Sequence, residues 1–92
     1  MGIQESLEAI ADPTRRKILE LLKEEEMTVS EIAAHFEITG ASMSHHLNKL
    51  KSAGLVLARR QGQNIFYSIH TSIFEDIAGF VTTFFSKRRG KK

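Results

Sequence analysis

The chain has 92 residues, is 41% hydrophobic and 26% charged, and contains no cysteine. That length sets one domain with a modest core, so stability is open to sharing with a partner chain. The composition is that of a soluble globular protein, and the missing thiols exclude a disulfide framework or a thiolate metal site.

The net charge of +2 is unevenly distributed. Residues 1–37 hold nine acids against four bases. From Ile38 to Phe74 there is no acid, while Lys49, Lys51, Arg59 and Arg60 all fall there. A near-neutral total thus conceals a positive region, which a phosphate-binding surface needs. The N-terminus, MGIQESLEAIADP, lacks a basic stretch followed by an apolar run, so no signal peptide is expected. No apolar run is long enough to span a bilayer. A cytoplasmic protein without membrane insertion is expected.

In chain order, Ile3, Leu7 and Ile10 form one stripe of a short helix. Asp12 can cap a second helix, with Pro13 at its first position, where a missing N–H costs nothing. That helix runs to about Lys23, carrying Ile18, Leu19, Leu21 and Leu22, and Glu24-Glu25-Glu26 reads as a solvated turn. Thr28-Val29-Ser30-Glu31 matches the capping box and starts a third helix. Its inner face is Val29, Ile32, Ala33 and Phe36. Glu37-Ile38 is the turn, Thr39 caps a fourth helix, and Gly54 suits its left-handed end.

The period then becomes strand-like. Residues 55–60 and 65–69 are β-prone runs joined by Gln61-Gly62-Gln63-Asn64, a hairpin. A two-stranded hairpin after a helix-turn-helix is a wing. Thr71 or Ser72 caps a last helix, with a second capping box over Ser72–Glu75. Two apolar stripes run along it: Ile73, Ile77, Phe80 and Phe84, then Phe74, Ala78, Val81 and Phe85. One stripe suffices to dock a helix on its own domain; two imply a homodimer interface, with Ile3 and Leu7 of the first helix beside it. The basic segment 87–92 reads as a tail that solubilises the chain or touches DNA without specificity.

Turning the fourth helix by about 100° per residue separates a core side from a groove side. Met43, His46, Leu47 and Leu50 fall inward. Ala41, Ser44, His45, Asn48 and Ser52 fall outward, where small and polar groups can approach base edges. Ser42, Lys49 and Lys51 flank that face and, with Thr39, suit phosphates. Arg59, Arg60, Gln63 and Asn64 surround the hairpin tip and suit phosphates or the minor groove.

The chain resembles the ArsR/SmtB family of bacterial winged-helix repressors. The resemblance rests on Asp12-Pro13-Thr14-Arg15-Arg16-Lys17-Ile18-Leu19, Ser44-His45-His46-Leu47 with Leu50, Gly54-Leu55-Val56, and Arg59-Arg60-Gln61-Gly62-Gln63 with Phe66-Tyr67. Each motif alone is weak; four in register are specific. The resemblance is to the metal-independent, autorepressor branch of that family. It implies a homodimer on a palindromic operator in double-stranded DNA, dimerising through the first and last helices. Metal-sensing members use a cysteine pair near the helix-turn-helix, or His and acidic ligands on the last helix. This chain has no cysteine, and nothing from Ile77 to Ser86 can ligate a metal. No metal and no cofactor are therefore expected, and the family's effector does not carry over.

Plainer readings stand beside these. Arg15-Arg16-Lys17 suits phosphate equally with pairing to the acidic N-terminal half, such as Arg16 with Glu20. His46 reads as structural, near Met43 and Leu50, and His45 as a DNA contact. His35 and His70, near element ends, read as exposed or capping. Ser44-His45 is no nucleophile–base pair, since helix neighbours do not face each other. No glycine-rich phosphate loop or facing carboxylate pair supports an enzyme. The expected fold is α+β, mainly α: one winged helix-turn-helix over residues 1–92. Rivals are an effector-gated sensor of the same fold, answering a small ligand, a metal or a sequestering protein, and a winged helix used only for protein association.

Overall fold

The helices over Pro13–Glu24, Val29–Ala33 and Gly40–Ser52 each begin where a side chain replaces a missing backbone partner. The computed structural model describes residues 2–90, with side chains described through Phe85. Helix α1 spans Ile3–Ile10 and α2 spans Pro13–Glu24. The Arg15 N–H donates to Asp12 Oδ2 at 3.0 Å, capping α2, and Pro13 takes the first turn. A short strand, β1, covers Met27–Thr28, and α3 covers Val29–Ala33. The capping box of α3 is complete: Glu31 N–H donates to Thr28 Oγ1 at 3.2 Å, and Thr28 N–H to Glu31 Oε1 at 2.9 Å. Helix α4 spans Gly40–Ser52, capped by Thr39 Oγ1, which accepts from Ser42 N–H at 3.0 Å.

The end of α4 is a Schellman motif, which satisfies the last carbonyls of a helix. Gly54 adopts φ 78°; its N–H donates to Lys51 O, and the Leu55 N–H reaches back to Leu50 O, both at 3.0 Å. Leu50 and Leu55, the pair bracketing the motif, are both fully buried. The chain then enters strands β2 (Val56–Gln61) and β3 (Asn64–Ile69), paired antiparallel with Gln61 opposite Asn64. Gly62 has φ 65° and Gln63 a negative φ, the order of a type II′ turn.

The hairpin has the two strands expected, but the sheet has three. Its order is β1-β3-β2, with Met27 opposite Tyr67 and Thr28 opposite Phe66. The segment between α2 and α3 is therefore not only a turn. Its half-buried Met27 packs on the core, which ties the wing to the helix-turn-helix.

Helix α5 spans Thr71–Gly90. Because it already begins at Thr71, Ser72 lies inside the first turn, and the expected Ser72–Glu75 capping box is not formed. The Ser72 hydroxyl instead meets His70 Nδ1 at 3.1 Å. The helix also continues into the segment read as a basic tail; the side chains of that segment, and residues 91–92, lie outside the described residues.

One core joins these elements. Ile18, Leu19 and Leu22 from α2, Ile32 from α3, Met43, Leu47 and Leu50 from α4, and Leu55, Val56 and Tyr67 around the hairpin are its main buried members.

Candidate nucleic-acid interface

The groove side of α4 is as the helical period sets it. Ala41, Ser42, Ser44, His45, Asn48, Lys49, Lys51 and Ser52 are exposed, while Met43, Leu47 and Leu50 are buried. Burying Met43, Leu47 and Leu50 fixes the rotation of the helix, so the polar face cannot turn inward without exposing them. Thr39, expected at phosphate, accepts the Ser42 N–H at the helix start, which leaves its own O–H to donate.

His46 lies on the border between these faces and is half-buried. It packs on α4's inner side, but its partners are polar. Arg15 Nη1 stands 3.1 Å from His46 Nδ1, and Asp12 Oδ2 stands 3.8 Å from the same nitrogen. Arg15 Nε also donates to Ala9 O at 2.7 Å, and Arg16 Nη1 donates to Ile10 O at 2.8 Å. These arginines bind the end of α1; Arg16 makes no pair with Glu20 among the described residues. Asp12's carboxyl is held below the ordinary value, chiefly by the Arg15 N–H at the helix cap, and also by the Arg15 charge, against a smaller opposing effect of burial.

In the wing, the two arginines differ. Arg59 is engaged: Nη2 lies 2.6 Å from Glu26 Oε1, Nη1 donates to Gln61 Oε1 at 2.7 Å, and the guanidinium stands 5.0 Å from the Phe66 ring. Arg60, opposite Ile65, is exposed and has no hydrogen-bond partner among the described residues. Gln63 and Asn64 are exposed at the tip. Glu26, expected only in a solvated turn, is brought to the wing by the β1–β3 pairing.

The apolar residues of α5 divide along the helix, not around it. Ile73, Phe74 and Ile77, from both expected stripes, pack partly against the core of their own chain. Phe80, Val81, Phe84 and Phe85 are exposed, Phe84 by 57% and Phe85 by 64%. Phe80 and Phe84 meet edge-to-face with centroids 5.1 Å apart. Ile3 and Leu7 of α1 are also exposed, because α1 turns Ser6 and Ala9 inward instead. The radius of gyration is 15.3 Å, against about 12 Å for a compact chain of this length.

Among the described residues, no three His, Asp or Glu side chains converge as a metal site would require, and no helix is long and apolar enough to cross a membrane.

A buried-backed polar helix after a tight turn, followed by a hairpin, defines a winged helix-turn-helix regulator. The family described as "Bacterial regulatory protein, arsR family" matches residues 12–57. The chain is 49% identical over 79 residues to the transcriptional repressor SdpR of Bacillus subtilis, covering 86% of this chain and 88% of that protein. It is 38% identical to the nodulation protein NolR of Rhizobium meliloti, over 79% of this chain and 60% of the relative. A crystal structure of an ArsR family transcriptional regulator superposes with a TM-score of 0.89 at 26% identity, covering 95% of this chain and 90% of that one. Reduced HlyU from Vibrio cholerae superposes at 0.72 with 31% identity, over 83% of this chain and 81% of its own. The chain belongs to the ArsR family of bacterial transcriptional regulators.

Proposed function

We propose that this chain is a homodimeric, sequence-specific DNA-binding repressor of transcription, built as one winged-helix domain. The observation that carries the reading is the exposed row Ala41, Ser44, His45 and Asn48, backed by buried Met43, Leu47 and Leu50. A helix with such a face fits the major groove, where each base pair presents a distinct donor and acceptor pattern. Lys49, Lys51 and Arg60 border it and serve phosphates, and Gln63 and Asn64 serve the minor groove. Two such helices in a dimer read an inverted repeat with half-sites about 34 Å apart. The bound dimer covers a promoter, its own among the candidates, and excludes polymerase. The direction of regulation rests on the relative in Bacillus subtilis, which is named a transcriptional repressor. No metal enters this reading.

The interface between copies is the free half of α5, with Phe80, Val81 and Phe84, next to Ile3 and Leu7 of α1. Ile73, Phe74 and Ile77 seat that helix on its own core and so set its direction.

The test is selection of bound duplexes from a random DNA pool at physiological salt. An enriched inverted repeat with half-sites about one helical turn apart is the expected result. Retention of any sequence equally, lost as salt rises, overturns specific recognition.

A further inference from the structure

We propose that Arg15 is a positioning residue for DNA readout, holding α4 through His46 Nδ1, and that protonation of that ring loosens sequence-selective binding. The inference rests on the DNA-binding reading above.

It begins with donor and acceptor chemistry. A guanidinium only donates. With Arg15 Nη1 3.1 Å from His46 Nδ1, that nitrogen must offer its lone pair. His46 is thereby assigned as neutral, with its proton on Nε2. The same guanidinium donates through Nε to Ala9 O, 2.7 Å away at the end of α1. One planar group thus ties α1, α2 and α4 together, and a lysine in its place has no second rigid arm.

His46 adjoins His45 on the groove face, with ring centroids 5.8 Å apart. A shift of α4 at His46 small enough to leave Met43, Leu47 and Leu50 buried still moves the side chains that face bases. Misplacement on the scale of an ångström is enough to lose a directional hydrogen bond.

Protonation changes the partner. An Nδ1–H has no lone pair for Arg15, and the imidazolium repels the guanidinium. Asp12 Oδ2, 3.8 Å from Nδ1, then becomes the preferred acceptor. Asp12 is already the cap of α2, so the ring moves toward the helix start and leaves Arg15. The other charged groups packed about α4 lie elsewhere. Glu5 and Glu8 of α1 line the groove with Lys49 and Ser52, further along the helix. Arg59 of β2 is engaged with Glu26, and Arg60 stands on the wing.

The experiment compares the wild-type protein with His46→Asn, on the selected duplex and on random duplex, at about pH 8 and about pH 5.5, the range in which histidines titrate. Asparagine places its amide oxygen near the position of Nδ1 and does not titrate. His45 is present in both proteins. We expect the wild-type ratio of specific to random affinity to fall about tenfold in acid, and the His46→Asn ratio to stay level. Equal falls in both proteins overturn the proposal. Imidazole nitrogen shifts in the NMR spectrum of the wild-type protein test it without any variant. An Nε2–H tautomer at the higher pH is expected; an Nδ1–H tautomer, or a ring charged there, overturns it even where specific binding is intact. Absence of specific binding by the wild-type protein at both pH values overturns the DNA-binding reading and this proposal with it, whatever tautomer is seen.

Discussion

Arg59 Nη2 lies 2.6 Å from Glu26 Oε1, joining the wing to the segment between α2 and α3. Both side chains are about half exposed, so the pair contributes only about 0–1 kcal/mol to stability. Its consequence is for binding. A phosphate approaching Arg59 must compete with a carboxylate already in place. Glu26→Gln removes that competitor and one local negative charge. We expect tighter binding to any duplex and a salt dependence steeper by about 0.9 in the log–log slope, one added phosphate contact. Titrating affinity against salt checks this; an unchanged slope shows that Arg59 stays off the DNA.

Arg60 gives the opposite outcome. It is exposed and free of hydrogen-bond partners among the described residues. Arg60→Ala should weaken specific and random DNA alike and make the slope shallower by about 0.9, since a lost phosphate contact releases one fewer counterion. A loss confined to one sequence would instead place Arg60 at a base edge.

His45→Ala should behave differently again. His45 is exposed beside Ser44 and Asn48 on the polar face of α4. The expected cost on the preferred site is about 1–3 kcal/mol, with relaxed specificity at one position. Repeating the duplex selection with the variant measures this directly. An unchanged consensus with a uniform loss of affinity removes His45 from base readout.

These contrasts mark what the sequence could and could not disclose. The caps at Asp12, Thr28 and Thr39 were legible because capping is local: donor and acceptor lie within three residues. The exposed polar face of α4 was legible because the helical period fixes it once Met43, Leu47 and Leu50 are inward. Arg15 with His46 and Arg59 with Glu26 were not. Their partners are 31 and 33 residues away, joined only by the packing of elements. Strand β1 was missed because two residues carry no alternation to read. The stripes of α5 gave its faces but not where docking stops, which depends on how far the helix outruns its own domain.

Asp12 supplies a pH prediction. Its carboxyl is held below the ordinary range, chiefly by the Arg15 N–H. A depressed carboxyl contributes stability that is present above its unfolded value and is lost as pH falls through its folded value. Asp12→Ala removes the cap and should cost about 1 kcal/mol at neutral pH. The gap between wild type and variant should shrink in acid, once the pH is below the ordinary aspartate value of about 3.9 and falls through the lower value of the folded carboxyl. Urea midpoints at neutral pH and in that acid range check this. A gap that widens in acid would falsify the assignment of the ionised carboxyl as the stabilising form.

The last prediction concerns the end of α5. Phe80 and Phe84 form an edge-to-face pair that is 43% and 57% exposed. Replacing both with Glu puts two charges where a partner copy would bury rings. Removing a buried carboxylate from water costs several kcal/mol per ion, more than such a contact can recover. The core residues Ile18, Leu50 and Leu55 are untouched, so each chain should keep its helical signal. Sedimentation should show the wild-type chain as a dimer and the double variant as a monomer. Specific affinity should then collapse to that of a single half-site, while weak, salt-sensitive binding persists. A double variant that still sediments as a dimer places the interface elsewhere, with Ile3 and Leu7 of α1 the next surface to substitute.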